Sequence, residues 1–188
     1  MKINKDYFNI PNLLCYFRIL LIPVFLHTYF NVESSGEHLL STVILVVSGL
    51  SDFLDGFIAR KFNMITEFGK LIDPIADKLT QLTVALTLMY TYPLYKYMAI
   101  IIVVKDGMLA LGGIHLLKKK NKYINQAKMP GKVATLVFYM VSILLVAIDI
   151  SEYLISDVLI VLTVILMGFA LIHYARHLIE LYNEDTHG

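Results

Sequence analysis

The chain has 188 residues, of which 57% are hydrophobic and 16% charged, with a mean hydropathy of +0.68. Soluble domains carry about half apolar residues and about a quarter charged ones, so this composition excludes a soluble globular domain and predicts an integral membrane protein. A net charge of +1 gives no global field for nucleic acid, and the single cysteine, Cys15, makes neither an internal disulfide nor a cysteine-rich metal site.

In chain order, the opening MKINKDYFNIPN reads as a short interfacial helix ending at Pro11, with Tyr7 and Phe8 suited to the headgroup region. Six apolar segments follow, at about 12–30, 39–60, 69–90, 97–117, 133–150 and 153–181, each near the roughly 20 residues that cross a hydrocarbon core. The first run is long and lacks a small-residue cleavage site, so it is expected to stay as a helix rather than be removed as a leader. Cys15 within it reads as a small helix residue. Spanning strands would alternate polar and apolar positions, and these segments do not.

Basic residues favour the cytoplasmic side of a membrane. Arg60, Lys61 and Lys70 follow the second segment, and Lys118, Lys119, Lys120, Lys122, Lys128 and Lys132 follow the fourth. Glu33 and Glu37, then Lys96, then Asp149 and Glu152 occupy the other joints. The expectation is an all-α protein with six transmembrane helices, both termini cytoplasmic, and one domain over residues 1–188. The run KKKNK reads as a solvated, orienting loop, with attraction to anionic membrane lipids as the alternative.

The stretch SDFLDGFIARKFNMITEFGKLIDPIADK breaks this apolar pattern with Asp52, Asp55, Asp73 and Asp77. An ionisable residue inside a spanning segment is costly, and its default reading is functional. Asp52 and Asp55 are three apart near the end of the second segment, and Asp73 and Asp77 four apart near the start of the third, so each pair shares a helix face. The short joint brings the pairs together at the cytoplasmic boundary. Four carboxylates need countercharge from protons, from Arg or Lys, or from cations, and oxygen ligands suit Mg²⁺, Mn²⁺ or Ca²⁺ rather than zinc. Gly56, Ala59 and Gly69 leave space beside the acidic face, read either as room for a flat ligand or as close helix packing. The histidines make no metal-ligand set: His115 and His173 read as polar helix residues.

The pattern Asp52-x2-Asp55-Gly56-x2-Ala59-Arg60-x8-Gly69-x3-Asp73-x3-Asp77 resembles the full signature of the CDP-alcohol phosphatidyltransferase family. The resemblance implies transfer of a phosphatidyl group from CDP-diacylglycerol to an alcohol, release of CMP, two Mg²⁺ or Mn²⁺ ions per active site, a cytoplasm-facing site in the cell membrane, and a homodimer. By position, it makes Asp52, Asp55 and Asp73 metal ligands. Asp77 becomes a ligand of the second ion and the catalytic general base. It places Gly56, Ala59 and Gly69 beside the cytidine, with Arg60 supporting the nucleotide or the acidic cluster; as a lone residue, Arg60 also reads as a positive-inside anchor.

The run NIPNLLCYFRILLIPVF resembles the first helix of the phosphatidylglycerophosphate synthase branch, with Cys15 where threonine is common, and cardiolipin synthases share much of the pattern. Glycerol 3-phosphate is therefore the expected acceptor, followed by phosphatidylglycerol, then serine or inositol. Lys105, Lys132 and Arg18 are the expected acceptor contacts. Arg18 alternatively pairs with an acidic partner in the bundle, or snorkels. Two departures weigh on this branch: Lys105-Asp106 replaces an Arg-Glu pair, and Ala134 replaces the second lysine of a GK-x-K-T pattern. A cation channel or transporter is the rival class, but it needs carboxylates along a path to both faces, and here they gather near one.

Overall fold

The computed structural model describes residues 7–31, 38–120, 129–148 and 150–183. Among them are six α-helices and no strand: α1 Ile10–Phe30, α2 Leu39–Lys61, α3 Glu67–Thr91, α4 Tyr95–Lys120, α5 Met129–Ala147 and α6 Leu154–Asn183. Lys118, Lys119 and Lys120, expected in a loop, instead end α4, and Lys2, Lys5, residues 32–37 and 121–128 and Asp149 lie outside the described residues.

The expected interfacial helix falls mostly on residues 1–6, outside the described residues; its expected end, Pro11, stands instead in the first turn of α1. Proline is favoured there because the first helical N–H groups have no intrahelical partner to lose. Asn9 caps the helix, its side chain accepting from the Asn12 N–H at 2.9 Å. Tyr7 packs against Phe68, with ring centroids 4.6 Å apart. The fifth helix ends at Ala147, three residues before the expected boundary.

Among the described residues, three helical segments are long and apolar enough to cross a membrane: Ile10–Phe30, Leu39–Lys61 and Leu154–Arg176. The apolar part of α5, Gly131–Ala147, is shorter. In α3 the length suffices, but Glu67, Lys70, Asp73, Asp77 and Lys78 crowd its first half. The residues that suggest function are the ones that dilute its hydropathy.

The distribution of side chains is that of a protein solvated by lipid. Leu20, Leu40, Leu136, Ile165 and Phe169 are exposed, while Ser48, Ser51, Thr80, Gln81 and Thr163 are buried. The buried hydroxyls bond back to helix carbonyls: Ser51 to Val47 at 2.9 Å, Thr80 to Ala76 at 2.9 Å and Thr163 to Leu159 at 2.8 Å. In hydrocarbon each such group must find its partner within the protein.

Contacts divide the chain into two compact units, Met1–Leu88 with Ser142–Ile150, and Met89–Val141 with Ser151–Gly188. In the first, α1 packs along α2; in the second, α4 packs along α6.

Candidate functional site

The first unit builds its acidic site around the joint between α2 and α3. The end of α2 is closed by the Phe62 N–H bonding to the Ile58 carbonyl at 3.0 Å and the Met64 N–H to the Ala59 carbonyl at 3.0 Å. Asn63 takes a left-handed conformation, φ 52°, which asparagine tolerates better than most residues after a helix end. Thr66 then caps α3, its Oγ1 accepting from the Gly69 N–H at 3.0 Å. The start of α1 is tied to this joint. Asn9 Nδ2 donates to the Met64 carbonyl at 2.9 Å, and Asn12 Nδ2 to Thr66 Oγ1 at 3.4 Å. These bonds fix three helix termini against one another, and with them the register of the acidic residues.

All four aspartates meet at one point, and Arg18 of α1 stands in the middle. Its Nη1 lies 2.9 Å from Asp52 Oδ1 and pairs with Asp77; its Nη2 pairs with Asp55 and lies 3.7 Å from Asp73 Oδ1. Each nitrogen thus reaches one carboxylate from α2 and one from α3. A planar guanidinium can do this because its N–H groups fork in fixed directions. The side chains of Asp52, Asp73 and Asp77 are 44–45% exposed, whereas Asp55 is 3% and Arg18 1% exposed. Three carboxylates are therefore open to a ligand and one is sealed beneath them.

Sequence reasoning missed Cys15 as a site residue. Its Sγ–H donates to Asp55 Oδ2 at 3.4 Å and lies 3.9 Å from Asp73 Oδ1. The available signal was spacing: Cys15 is three residues before Arg18 and so shares its helix face.

The donor set fits divalent cations. Carboxylate oxygens of Asp52, Asp73 and Asp77 lie within 4.8 Å of one another, and so do ligand atoms of Cys15, Asp55 and Asp73. The first group offers only hard oxygen, suited to Mg²⁺ or Mn²⁺; the second adds a softer sulfur. Asp73 belongs to both. One guanidinium also leaves most of the formal charge of four carboxylates unbalanced, so the site favours further cations.

The small residues occupy different surroundings. A Cβ added at Gly56 would meet only the Arg60 guanidinium, at 3.5 Å from Nη2. Arg60 is exposed and folds back over this glycine one turn away. A Cβ added at Gly69 would instead lie 2.7 Å from Asn12 Oδ1 and 3.0 Å from Thr66 Oγ1. Ala59 is half-buried between them in sequence.

In the second unit, Lys105 Nζ lies 3.7 Å from Asp106 Oδ1, and both side chains are largely buried. Lys132 is exposed in the first turn of α5. Its neighbour Gly131 lies against the Tyr174 ring of α6, which a Cβ at 131 would strike. Lys105 and Lys132 both belong to this unit.

The profile of the CDP-alcohol phosphatidyltransferase family matches residues 8–173. The chain is similar to the protein named CDP-diacylglycerol--glycerol-3-phosphate 3-phosphatidyltransferase in three bacteria. It is 40% identical to that of Aquifex aeolicus over 145 residues, 74% of this chain and 76% of the relative. It is 32% identical to that of Bacillus subtilis over 139 residues, 68% and 71% of the two chains. It is 46% identical to that of Rickettsia bellii over 79 residues, where the match spans 41% of the relative's length.

Proposed function

Because the chain belongs to the CDP-alcohol phosphatidyltransferase family, we propose that it transfers the phosphatidyl group of CDP-diacylglycerol to sn-glycerol 3-phosphate, giving phosphatidylglycerophosphate and CMP. The observation that carries this reading is the meeting of Asp52, Asp73 and Asp77, contributed by two helices, at one partly open point. The names of the relatives support the choice of acceptor.

Asp52, Asp55 and Asp73 would hold one Mg²⁺ or Mn²⁺, and Asp77, gathered with Asp52 and Asp73, would hold the second. Bound there, the ions supply charge neutralisation for a diphosphate and for the departing CMP. The Asp77 carboxylate accepts the proton of the acceptor hydroxyl. That oxygen attacks the phosphatidyl phosphorus, a new P–O bond forms, and the bond to the CMP oxygen breaks. Asp77 suits this role because it is partly open while Asp55 is closed. Gly56, with Arg60 folded over it, and Ala59 provide the nucleotide surface, while the Cβ position of Gly69, expected beside the cytidine, is taken up by Asn12 and Thr66. Lys105 and Lys132 are the cations for the acceptor's phosphate, on the ground that an anionic acceptor needs positive partners.

The proposal extends to architecture. Residues 1–188 act as one catalytic domain of six membrane spans, with both termini and the site on the cytoplasmic side of the cell membrane, and the protein works as a homodimer. A boundary position lets the lipid tails of the donor stay in the bilayer while the polar acceptor enters from water.

The test is CMP release by the purified full chain with CDP-diacylglycerol, Mg²⁺ and a panel of acceptors. Glycerol 3-phosphate is expected to support turnover. Turnover with phosphatidylglycerol alone would replace this reading with cardiolipin synthesis. Turnover with serine or inositol alone would move the chain to another branch.

A further inference from the structure

We propose that Arg18 is an internal counter-ion of the acidic site, which divalent cations must displace from the same carboxylates. The inference rests on the metal-binding reading of the four aspartates.

The geometry is specific. Asp52 Oδ1, Asp77 Oδ1, Asp55 Oδ2 and Asp73 Oδ1 are the atoms that face Arg18, two on each terminal nitrogen. Asp52, Asp73 and Asp77 are also the carboxylates whose oxygens gather within 4.8 Å of one another. A divalent ion bound through oxygens at about 2.0–2.6 Å would share its ligands with the guanidinium. Two cations cannot be held by the same carboxylates at such range without mutual repulsion, and the repulsion is strong where water is excluded. Arg18 is buried to 1% exposure, so solvent does little to screen it.

A second observation concerns Nε of Arg18, which is buried and has no hydrogen-bond partner among the described residues. An arginine placed only to hold α1 against α2 and α3 would be expected to satisfy all its donors, since an unmade bond at a buried N–H is costly. Arg18 satisfies its two forked ends and leaves the third direction empty. That fits a side chain that exchanges between the carboxylates and another position. On this reading Arg18 keeps the four carboxylates together before metal arrives, and lowers the affinity for metal in return. It is a positioning residue, whose effect on chemistry passes through the ions.

The experiment measures Mn²⁺ binding to the purified full chain by the loss of the free-ion electron paramagnetic resonance signal, beside the melting temperature in chelator and in Mn²⁺. Arg18→Gln removes the charge and keeps a polar side chain. It is expected to bind Mn²⁺ at least about tenfold more tightly than the unaltered protein, to melt lower in chelator, and to gain more from Mn²⁺. Arg18→Lys keeps the charge but loses the fork, so a smaller tightening is expected; this variant decides the matter if Arg18→Gln does not fold. Unchanged or weaker Mn²⁺ binding in the variant that folds, with binding intact in the unaltered protein, overturns the counter-ion role and leaves the metal site standing. Absence of Mn²⁺ binding in the unaltered protein overturns both.

Discussion

Gly69 sits so close to Asn12 that a methyl group on its α-carbon would lie 2.7 Å from Asn12 Oδ1. Asn12 is fully buried, so it cannot simply turn into solvent. Gly69→Ala is expected to destabilise the protein by about 1–3 kcal/mol, the usual cost of overpacking. Gly56→Ala is the contrast, because its new Cβ meets only the flexible Arg60 guanidinium. There, the gain in helix propensity of about 1 kcal/mol over glycine should keep stability at or above its starting level. If the space at Gly56 receives the nucleotide, Gly56→Ala raises KM for CDP-diacylglycerol while the melting temperature holds. An unchanged KM would leave Gly56 as a packing residue.

Asp55 and Asp77 differ in how much of the fold rests on them within one cluster. Asp55 is sealed between Arg18 and Cys15, so Asp55→Asn removes a buried charge-assisted contact. Arg18 keeps three other carboxylates, and the loss should be on the order of 2 kcal/mol, less than the roughly 3–5 kcal/mol for breaking an isolated buried pair. Asp77 is partly open, and Asp77→Asn should fold with a smaller loss. Its CMP release should fall at least about a hundredfold, as removal of a general base does. Melting curves and initial rates on the same preparations check the separation; undiminished release by Asp77→Asn would refute the base assignment.

The aspartates were legible in the sequence because charge in an apolar segment is conspicuous and their spacing fixes a shared face. Arg18 was legible only as an arginine that needed a partner. Which oxygens it meets depends on how α1 lies against α2 and α3, and no local pattern encodes that. Cys15 was hidden because a thiol is compatible with an apolar helix and so raises no alarm. Gly69 could be read either as ligand space or as close packing, and the choice turns on Asn12, 57 positions earlier. The third helix was visible as a helix, although its charges lower the spanning signal. Chain order therefore exposed the chemistry, while the contacts that hold it came from packing.

Cys15 offers a test of how the sealed carboxylate is supported. Cys15→Val preserves approximate size and removes the Sγ–H that donates to Asp55 at 3.4 Å. A thiol is a weak donor, so a loss of about 1 kcal/mol is expected, at the low end for a bond to a charged group. Cys15→Ser restores a hydroxyl donor and should recover most of that loss. Melting temperatures of both variants in chelator report the effect; equal melting of Cys15→Val and the unaltered protein would show that Arg18 alone supports Asp55.

Lys105 and Lys132 carry the acceptor proposal and can be tested against each other. Lys105 is largely buried beside Asp106, so Lys105→Ala also leaves that carboxylate without its neighbouring ion. Lys132 is exposed, and Lys132→Ala should fold at near-normal stability. Loss of a charge-assisted contact to phosphate costs about 1.5–3 kcal/mol, or about tenfold to a hundredfold in apparent affinity. A lysine that meets the acceptor should raise KM for glycerol 3-phosphate by that factor and leave KM for CDP-diacylglycerol within about twofold, which separates acceptor binding from general damage. Equal rises for both substrates would assign the residue to folding. Lys132→Ala is the cleaner variant, because its side chain is exposed, with no buried partner among the described residues, and a selective effect on glycerol 3-phosphate then points to the ligand.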